Sequence, residues 1–218
     1  MRAVVVADGE PAHEDRLLAA SAELLIAADG GAAWLESTGL LPAILVGDLD
    51  SVEMSTVARL SAAGTEVVRH PIEKDASDTE LAIELAFERG ADRVVLLGAL
   101  GGGRLDHEVA NLLLLADPGL AARDLRIVRG GTLVRALAPG QRLTIEVGPG
   151  STVTLLPVSG GVEGVVTRGL RYPLEGEPLG IGRSRGLSNE VVEAPASVST
   201  RTGTLLVIEN ARDEGEDQ

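Results

Sequence analysis

No cysteine occurs in the 218-residue chain, which excludes disulfides, thiolate nucleophiles and cysteine-ligated zinc. Rings are almost absent as well. Trp34, Phe87 and Tyr172 are the whole aromatic complement, so the interior must be built from Val, Leu, Ile and Ala, and few rings remain to stack on bases. No block of Lys or Arg is present to follow a phosphate backbone, and a formal charge of −14 disfavours polyanions and anionic membranes. Nucleic acid and membrane are therefore not expected partners. No apolar stretch approaches the ~18 residues of a membrane span, and no charged-then-apolar leader opens the chain. His13, His70 and His107 show no metal-binding spacing. The expectation is a cytoplasmic enzyme or binding protein.

What the chain does have is 44% apolar content, enough for one large or two modest packed domains. As far as about residue 130, continuously apolar runs at 4–6, 24–26, 44–46, 67–68, 94–97 and 127–128 alternate with helical periodicity, as at 52–63 and 77–89. Runs with no polar alternation fit strands buried on both faces, so this half predicts a mainly parallel, three-layer, Rossmann-like α/β sheet. Past Ala138-Pro139-Gly140 the pattern changes to short strand candidates at 143–147, 152–156, 164–167, 191–192, 198–200 and 205–208, separated by Gly and Pro. That predicts an all-β sandwich or barrel. The expected division is 1–138, 139–210 and a disordered acidic tail at 211–218.

Four short acidic, glycine-bearing words stand in order along the first half: Asp29-Gly30-Gly31, Gly47-Asp48-Leu49-Asp50-Ser51, Lys74-Asp75-Ala76-Ser77-Asp78 and Gly101-Gly102-Gly103-Arg104-Leu105-Asp106-His107. Open α/β sheets gather ligand-binding groups where strands end. Six carboxylates converging there (Asp29, Asp48, Asp50, Asp75, Asp78 and Asp106) would repel one another unless cations held them together. Mg²⁺ takes oxygen ligands and is commonly shared between carboxylates and substrate phosphates, so Mg²⁺-dependent phosphate chemistry is the leading expectation.

Each word also has a plainer reading. Asp48 and Asp50, at i and i+2, reach one metal if the segment is extended; alternatively Asp50 or Ser51 caps the next helix. Ser77 and Glu80 have the form of a capping box, and Asp78 at that entrance serves either the helix dipole or a ligand. The Gly101 to Gly103 turn offers backbone N–H groups to an anion and Arg104 a bidentate grip on phosphate, yet neither the dinucleotide fingerprint nor the P-loop pattern occurs. His107 and Asn111 lie one helical turn apart, and Asn111 serves either a substrate or a neighbouring loop.

Taken together with Gly169-Leu170-Arg171-Tyr172-Pro173-Leu174 and Gly186-Leu187-Ser188-Asn189-Glu190, these words resemble the thiamine pyrophosphokinase family over roughly residues 1–210. The resemblance implies a homodimer with an N-terminal α/β domain for ATP and Mg²⁺, a C-terminal β-sandwich for thiamine, and active sites between subunits. It implies transfer of the pyrophosphoryl group of ATP to the thiamine hydroxyl, with release of AMP. By that analogy Asp48, Asp50, Asp75 and Asp78 are metal-binding and catalytic acids, and Asp106 belongs to the same site. Asp29, Lys74, Gly101, Gly102, Gly103, Arg104, His107 and Asn111 hold the nucleotide, while Ser188 and Asn189 of the partner subunit hydrogen-bond thiamine. The chain departs from the family pattern in having Ala33 where Asn often follows Gly-Gly-Ala, and in lacking a tryptophan near the Ser-Asn word. The rival readings are a metal-dependent phosphohydrolase of nucleotides or sugar phosphates and a non-catalytic thiamine or nucleotide sensor.

Overall fold

The computed structural model describes residues 1–73 and 75–212. Lys74 and residues 213–218 of the expected acidic tail lie outside the described residues. Packing divides the chain into two compact units, one of residues 1–114 with 124–130 and one of residues 115–123 with 131 onward. The expected boundary at 138/139 keeps residues 115–123 and 131–138 with the first half, whereas packing groups them with the second.

The first unit holds six strands, β1 (Arg2–Val6), β2 (Leu24–Ala28), β3 (Ile44–Gly47), β4 (Glu66–Arg69), β5 (Arg93–Leu97) and β6 (Asp124–Arg129). Between them run α1 (Asp15–Ala20), α2 (Gly31–Ser37), α3 (Met54–Ala62), α4 (Asp78–Glu88) and α5 (Leu105–Leu114). The strands pair in parallel in the order β6-β5-β1-β2-β3-β4. Val4 to Val6, Ile26 to Ala28 and Ile44 to Val46 are buried, as strands covered by helices on both sides must be. α1 and α2 span only six and seven residues. α4 follows its expected signal, with Ser77 Oγ accepting the Glu80 N–H at 3.2 Å. Neither Asp50 nor Ser51 caps α3, whose N-cap is Glu53.

Sequence order reverses between β1 and β5, and that switch point opens a crevice beyond their carboxyl ends. The two chains stay zipped past the strands. Ala7 N–H donates to Leu97 O at 2.9 Å, Gly9 N–H to Gly98 O at 2.8 Å and Glu10 N–H to Leu100 O at 2.9 Å. Glycine is what permits the approach, because a Cβ on Gly9 would sit 2.3 Å from Gly98 O and 2.8 Å from Leu100 O. Asp15 fixes the far side of the same loop, its carboxylate accepting from Ala12 N–H at 2.7 Å and Gly130 N–H at 2.9 Å.

The second unit has two antiparallel layers. One has the order β12 (Asn189–Glu190), β9 (Thr152–Pro157), β14 (Leu205–Asn210), β7 (Thr132–Leu137). The other runs β11 (Glu175–Gly180), β10 (Gly161–Arg168), β13 (Ser197–Ser199), β8 (Arg142–Thr144). Val153, Leu155 and Val207 from the first and Val162, Val165 and Val198 from the second share one apolar core, the sandwich that the sequence predicts. Within it Arg135 and Glu209 form a buried ion pair, and the other Glu209 carboxylate oxygen accepts the N–H groups of Glu146 at 2.5 Å and Val147 at 3.3 Å. That network ties the 146–147 segment to β7 and β14.

Gly9→Ala is expected to cost about 2–3 kcal/mol, since backbone rather than a flexible side chain must give way. For a chain of this size that lowers Tm by roughly 5–10 °C in a thermal melt. An unchanged Tm would mean that the β1 and β5 extensions are not held together as described.

Candidate active site

A cleft of about 350 Å³ occupies the switch-point crevice of the first unit. Ala28, Gly98 and Ala99, at or just past the ends of β2 and β5, are part of its lining. Its walls come from the loops after β1, β2, β3, β4 and β5 and from the start of α4 and one face of α5.

Asp29, Asp48 and Asp78 meet here, with one carboxylate oxygen from each lying within 4.8 Å of the others. They come from the ends of β2 and β3 and from the first residue of α4. Asp29 has φ +44° and Leu49 φ +66°, a left-handed backbone that costs a non-glycine residue free energy and that clusters at ligand sites. Gly47 makes room for the group, because a Cβ there would lie 3.2 Å from both Asp29 Cβ and Asp78 Oδ1. Burial pushes the Asp29 carboxyl pKa above its ordinary value; repulsion from Asp78, Asp48 and Asp50 adds to this, while a hydrogen bond from Ser51 opposes it. Asp29 Oδ1 is buried with no hydrogen-bond partner among the described residues. Three hard oxygen donors, one of them buried and unsatisfied, fit a divalent cation such as Mg²⁺.

The i, i+2 reading of the second word needs an extended segment, and the segment is not extended, because Leu49 turns left-handed and buries its side chain. Asp48 joins the trio. Asp50 is exposed, with its N–H donating to Asp48 Oδ1 at 3.1 Å and its carboxylate accepting from Ser51 Oγ at 3.0 Å. In the third word, Asp78 reaches the cleft, whereas Asp75 is exposed and outside its lining.

On the opposite side of the cleft, Gly101, Gly102 and Gly103 all have positive φ, at 80°, 85° and 76°, a run that only glycine adopts readily. Gly101 and Gly102 line the cleft together with Arg104, His107 and Asn111. The Arg104 guanidinium grips Asp106 bidentately, Nε to Oδ1 at 2.9 Å and Nη2 to Oδ2 at 2.7 Å, and holds that exposed carboxyl well below the usual range. Asn111 is buried and donates Nδ2–H to Ala99 O at 2.9 Å, so it fixes the loop after β5 while also facing the cleft. The loop-fixing reading is thus the one the hydrogen bond shows.

Asp8 escaped the sequence reading. It lines the cleft after β1, and a Cβ on Gly30 would fall 2.0 Å from its Oδ1. The signal was present in Asp8-Gly9 directly behind the apolar run at 4–6, the same arrangement that marks the other words.

Ser188 and Asn189 lie in the second unit. Ser188 is exposed, has φ +51°, and donates its N–H to Thr154 Oγ1 at 2.9 Å. Asn189 Oδ1 accepts from the N–H groups of Tyr172 and Glu190, both at 3.0 Å, and Nδ2 donates to Tyr172 O at 2.7 Å. With both lone pairs of Oδ1 engaged, the side chain keeps one N–H and can donate to a ligand but not accept. It also latches the 169–174 word to the 186–190 word, which Arg171 and Glu190 reinforce with a bidentate ion pair at 2.7 and 2.8 Å.

Residues 16–128 match the thiamin pyrophosphokinase catalytic domain, and residues 141–205 match the thiamin pyrophosphokinase vitamin B1 binding domain. The chain belongs to the thiamin pyrophosphokinase family. A thiamine pyrophosphokinase of Bacillus subtilis is 26% identical over 185 residues, covering 85% of this chain and 86% of that protein. The crystal structure of the B. subtilis thiamine pyrophosphokinase superposes with a TM-score of 0.84 at 25% identity, covering 98% of this chain and 100% of that one. A family protein from Enterococcus faecalis gives 0.83 at 27% identity with the same coverage. A thiamin pyrophosphokinase from Geobacillus thermodenitrificans gives 0.82 at 28% identity, covering 99% of each chain. The likeness spans both units, and this family fold is that of a kinase-type transferase. Among the described residues, no helix is long and apolar enough to cross a membrane.

In metal-free buffer with a chelator, Asp29→Asn should raise stability by about 1 kcal/mol, or Tm by roughly 2–4 °C, because it removes a buried like charge from the trio. The same variant should lose most of the Tm gain that Mg²⁺ with nucleotide gives the wild type. A drop in the metal-free Tm would show that the three carboxylates do not strain the unliganded protein.

Proposed function

We propose that the chain is an ATP:thiamine diphosphotransferase, moving the pyrophosphoryl group of ATP to the hydroxyl of thiamine to give thiamine diphosphate and AMP. The observation that carries this reading is the convergence of Asp29, Asp48 and Asp78 opposite the glycine turn in one cleft. The match of the second unit to a vitamin B1 binding domain favours thiamine over water as acceptor. A phosphohydrolase would have no use for that domain.

In this reading Asp29, Asp48 and Asp78 hold Mg²⁺, which when bound neutralises triphosphate charge and makes the β-phosphorus more electrophilic. Backbone N–H groups of Gly101 and Gly102 cradle phosphate oxygens, Arg104 adds positive charge, and His107 lines the same wall. Asp106 holds the Arg104 guanidinium in a fixed orientation. The thiamine hydroxyl oxygen attacks the β-phosphorus in line, and the bond from that phosphorus to the oxygen bridging to the α-phosphate breaks. AMP departs with that oxygen, and in this reading the hydroxyl proton passes to a carboxylate of the third word, Asp75 or Asp78. Lys74, beside Asp75, is assigned to the triphosphate by its word alone. Catalysis of this type rests on positioning and electrostatics more than on covalent help from the protein. We propose further that Ser188 and Asn189 of a second copy bind thiamine, Asn189 donating its remaining N–H to a pyrimidine nitrogen, so that the working enzyme is a homodimer.

Incubation with ATP, Mg²⁺ and thiamine should yield AMP and thiamine diphosphate in equal amounts, and Asp48→Asn should lower turnover by roughly 100-fold or more with the fold retained. Thiamine-independent phosphate release would support a hydrolase, and nucleotide binding without turnover would support a sensor. Either result overturns the transfer reading.

A further inference from the structure

The glycine turn packs against an acidic segment. Residues 8–15 read Asp-Gly-Glu-Pro-Ala-His-Glu-Asp, four carboxylates in eight residues with no Lys or Arg among them. Glu10 comes closest to the turn, because a Cβ on Gly101 would lie 2.8 Å from Glu10 Cβ and 3.0 Å from Glu10 Oε2. Gly102 meets the same segment, where a Cβ would lie 3.1 Å from Gly9 Cα and 3.3 Å from Asp8 O. A bare carboxylate against a turn that holds phosphate opposes the turn's task, since like charges at such range repel.

Arg129, the last residue of β6, meets that charge. Its Nε–H donates to Glu10 O at 2.9 Å, which holds the guanidinium at Glu10, and its Nη2 reaches Glu10 Oε2 at 3.3 Å. Among the described residues it is the one ion-pair partner of Glu10. The two side chains are 46% and 65% exposed, and an ion pair in that setting adds little to stability. Neither residue lines the cleft. We infer that Arg129 is a positioning residue for the phosphate turn, acting from outside the cleft by cancelling the Glu10 charge beside Gly101. A polyphosphate then meets the backbone N–H groups of the turn and not the field of an unpaired carboxylate. The inference rests on the nucleotide reading given above and gives a task to two side chains that it leaves idle.

The test is calorimetric binding of inorganic tripolyphosphate with Mg²⁺ to the full chain, as wild type, Arg129→Ala, Arg129→Lys, Glu10→Gln and the double variant Glu10→Gln with Arg129→Ala. Arg129→Ala should weaken binding about tenfold, while Arg129→Lys, which keeps the charge, stays within about threefold of the wild type. Glu10→Gln should bind as tightly as the wild type or more so. The double variant should return to within about threefold of the wild type, because the charge that Arg129 cancels is gone. A displaced loop would not be mended by removing a second side chain's charge, so this rescue separates neutralisation from mere support. The inference is overturned if Arg129→Ala binds normally, if the double variant stays as weak as Arg129→Ala, if Glu10→Gln alone weakens binding by the same factor, or if the wild type binds no tripolyphosphate. The expected binding pattern in a protein that makes no thiamine diphosphate would sink the transfer reading and leave this one standing.

Discussion

Three carboxylates held within 4.8 Å of one another are the constraint around which the first unit is arranged. Like charges at that separation repel by about 3 kcal/mol per pair at an effective dielectric near 20, less where solvent screens them. The fold meets that cost with backbone. Asp29 and Leu49 sit in left-handed conformations, Gly47 clears space beside two of the acids, and α4 begins on the third. None of this benefits a protein that binds nothing there. Strain and repulsion concentrated in a cleft are what a site looks like when its stabilising partner is a cation.

The rest of the cleft follows from the sheet. Reversal of strand order at β1 and β5 opens the crevice, and the hydrogen bonds from residues 7, 9 and 10 to residues 97, 98 and 100 keep its two lips in register. Glycines at 9 and 98 allow that close approach, and the glycines at 101 and 102 turn backbone toward the ligand space from the opposite side.

The α/β half was legible in the sequence because strands buried on both faces are continuously apolar, as 4–6, 44–46 and 94–97 are. β7 and β11 were not. β7 carries Arg135, whose charge conceals a buried strand until Glu209 is seen opposite it in the core. β11 reads Glu-Gly-Glu-Pro-Leu-Gly and buries only Leu179, so it shows neither alternation nor β-propensity. At the site, the acidic words named loops that meet in the cleft but not which carboxylates stand together. Spacing within one word favoured Asp48 with Asp50, whereas the structure joins Asp48 to Asp29 and Asp78 from two other words. That grouping depends on which strands are neighbours, and local spacing carries no information about it. Asp8 was missed for a simpler reason, since its word is only two residues long.

The most direct test of the account is to locate a divalent ion in crystals grown with Mn²⁺ and α,β-methylene-ATP, using the anomalous signal of the manganese. The account predicts a peak bound by carboxylate oxygens of Asp29, Asp48 and Asp78 and by phosphate oxygens of the nucleotide. A nucleotide bound in the cleft with manganese elsewhere, or with those three carboxylates turned away from it, would contradict the central claim.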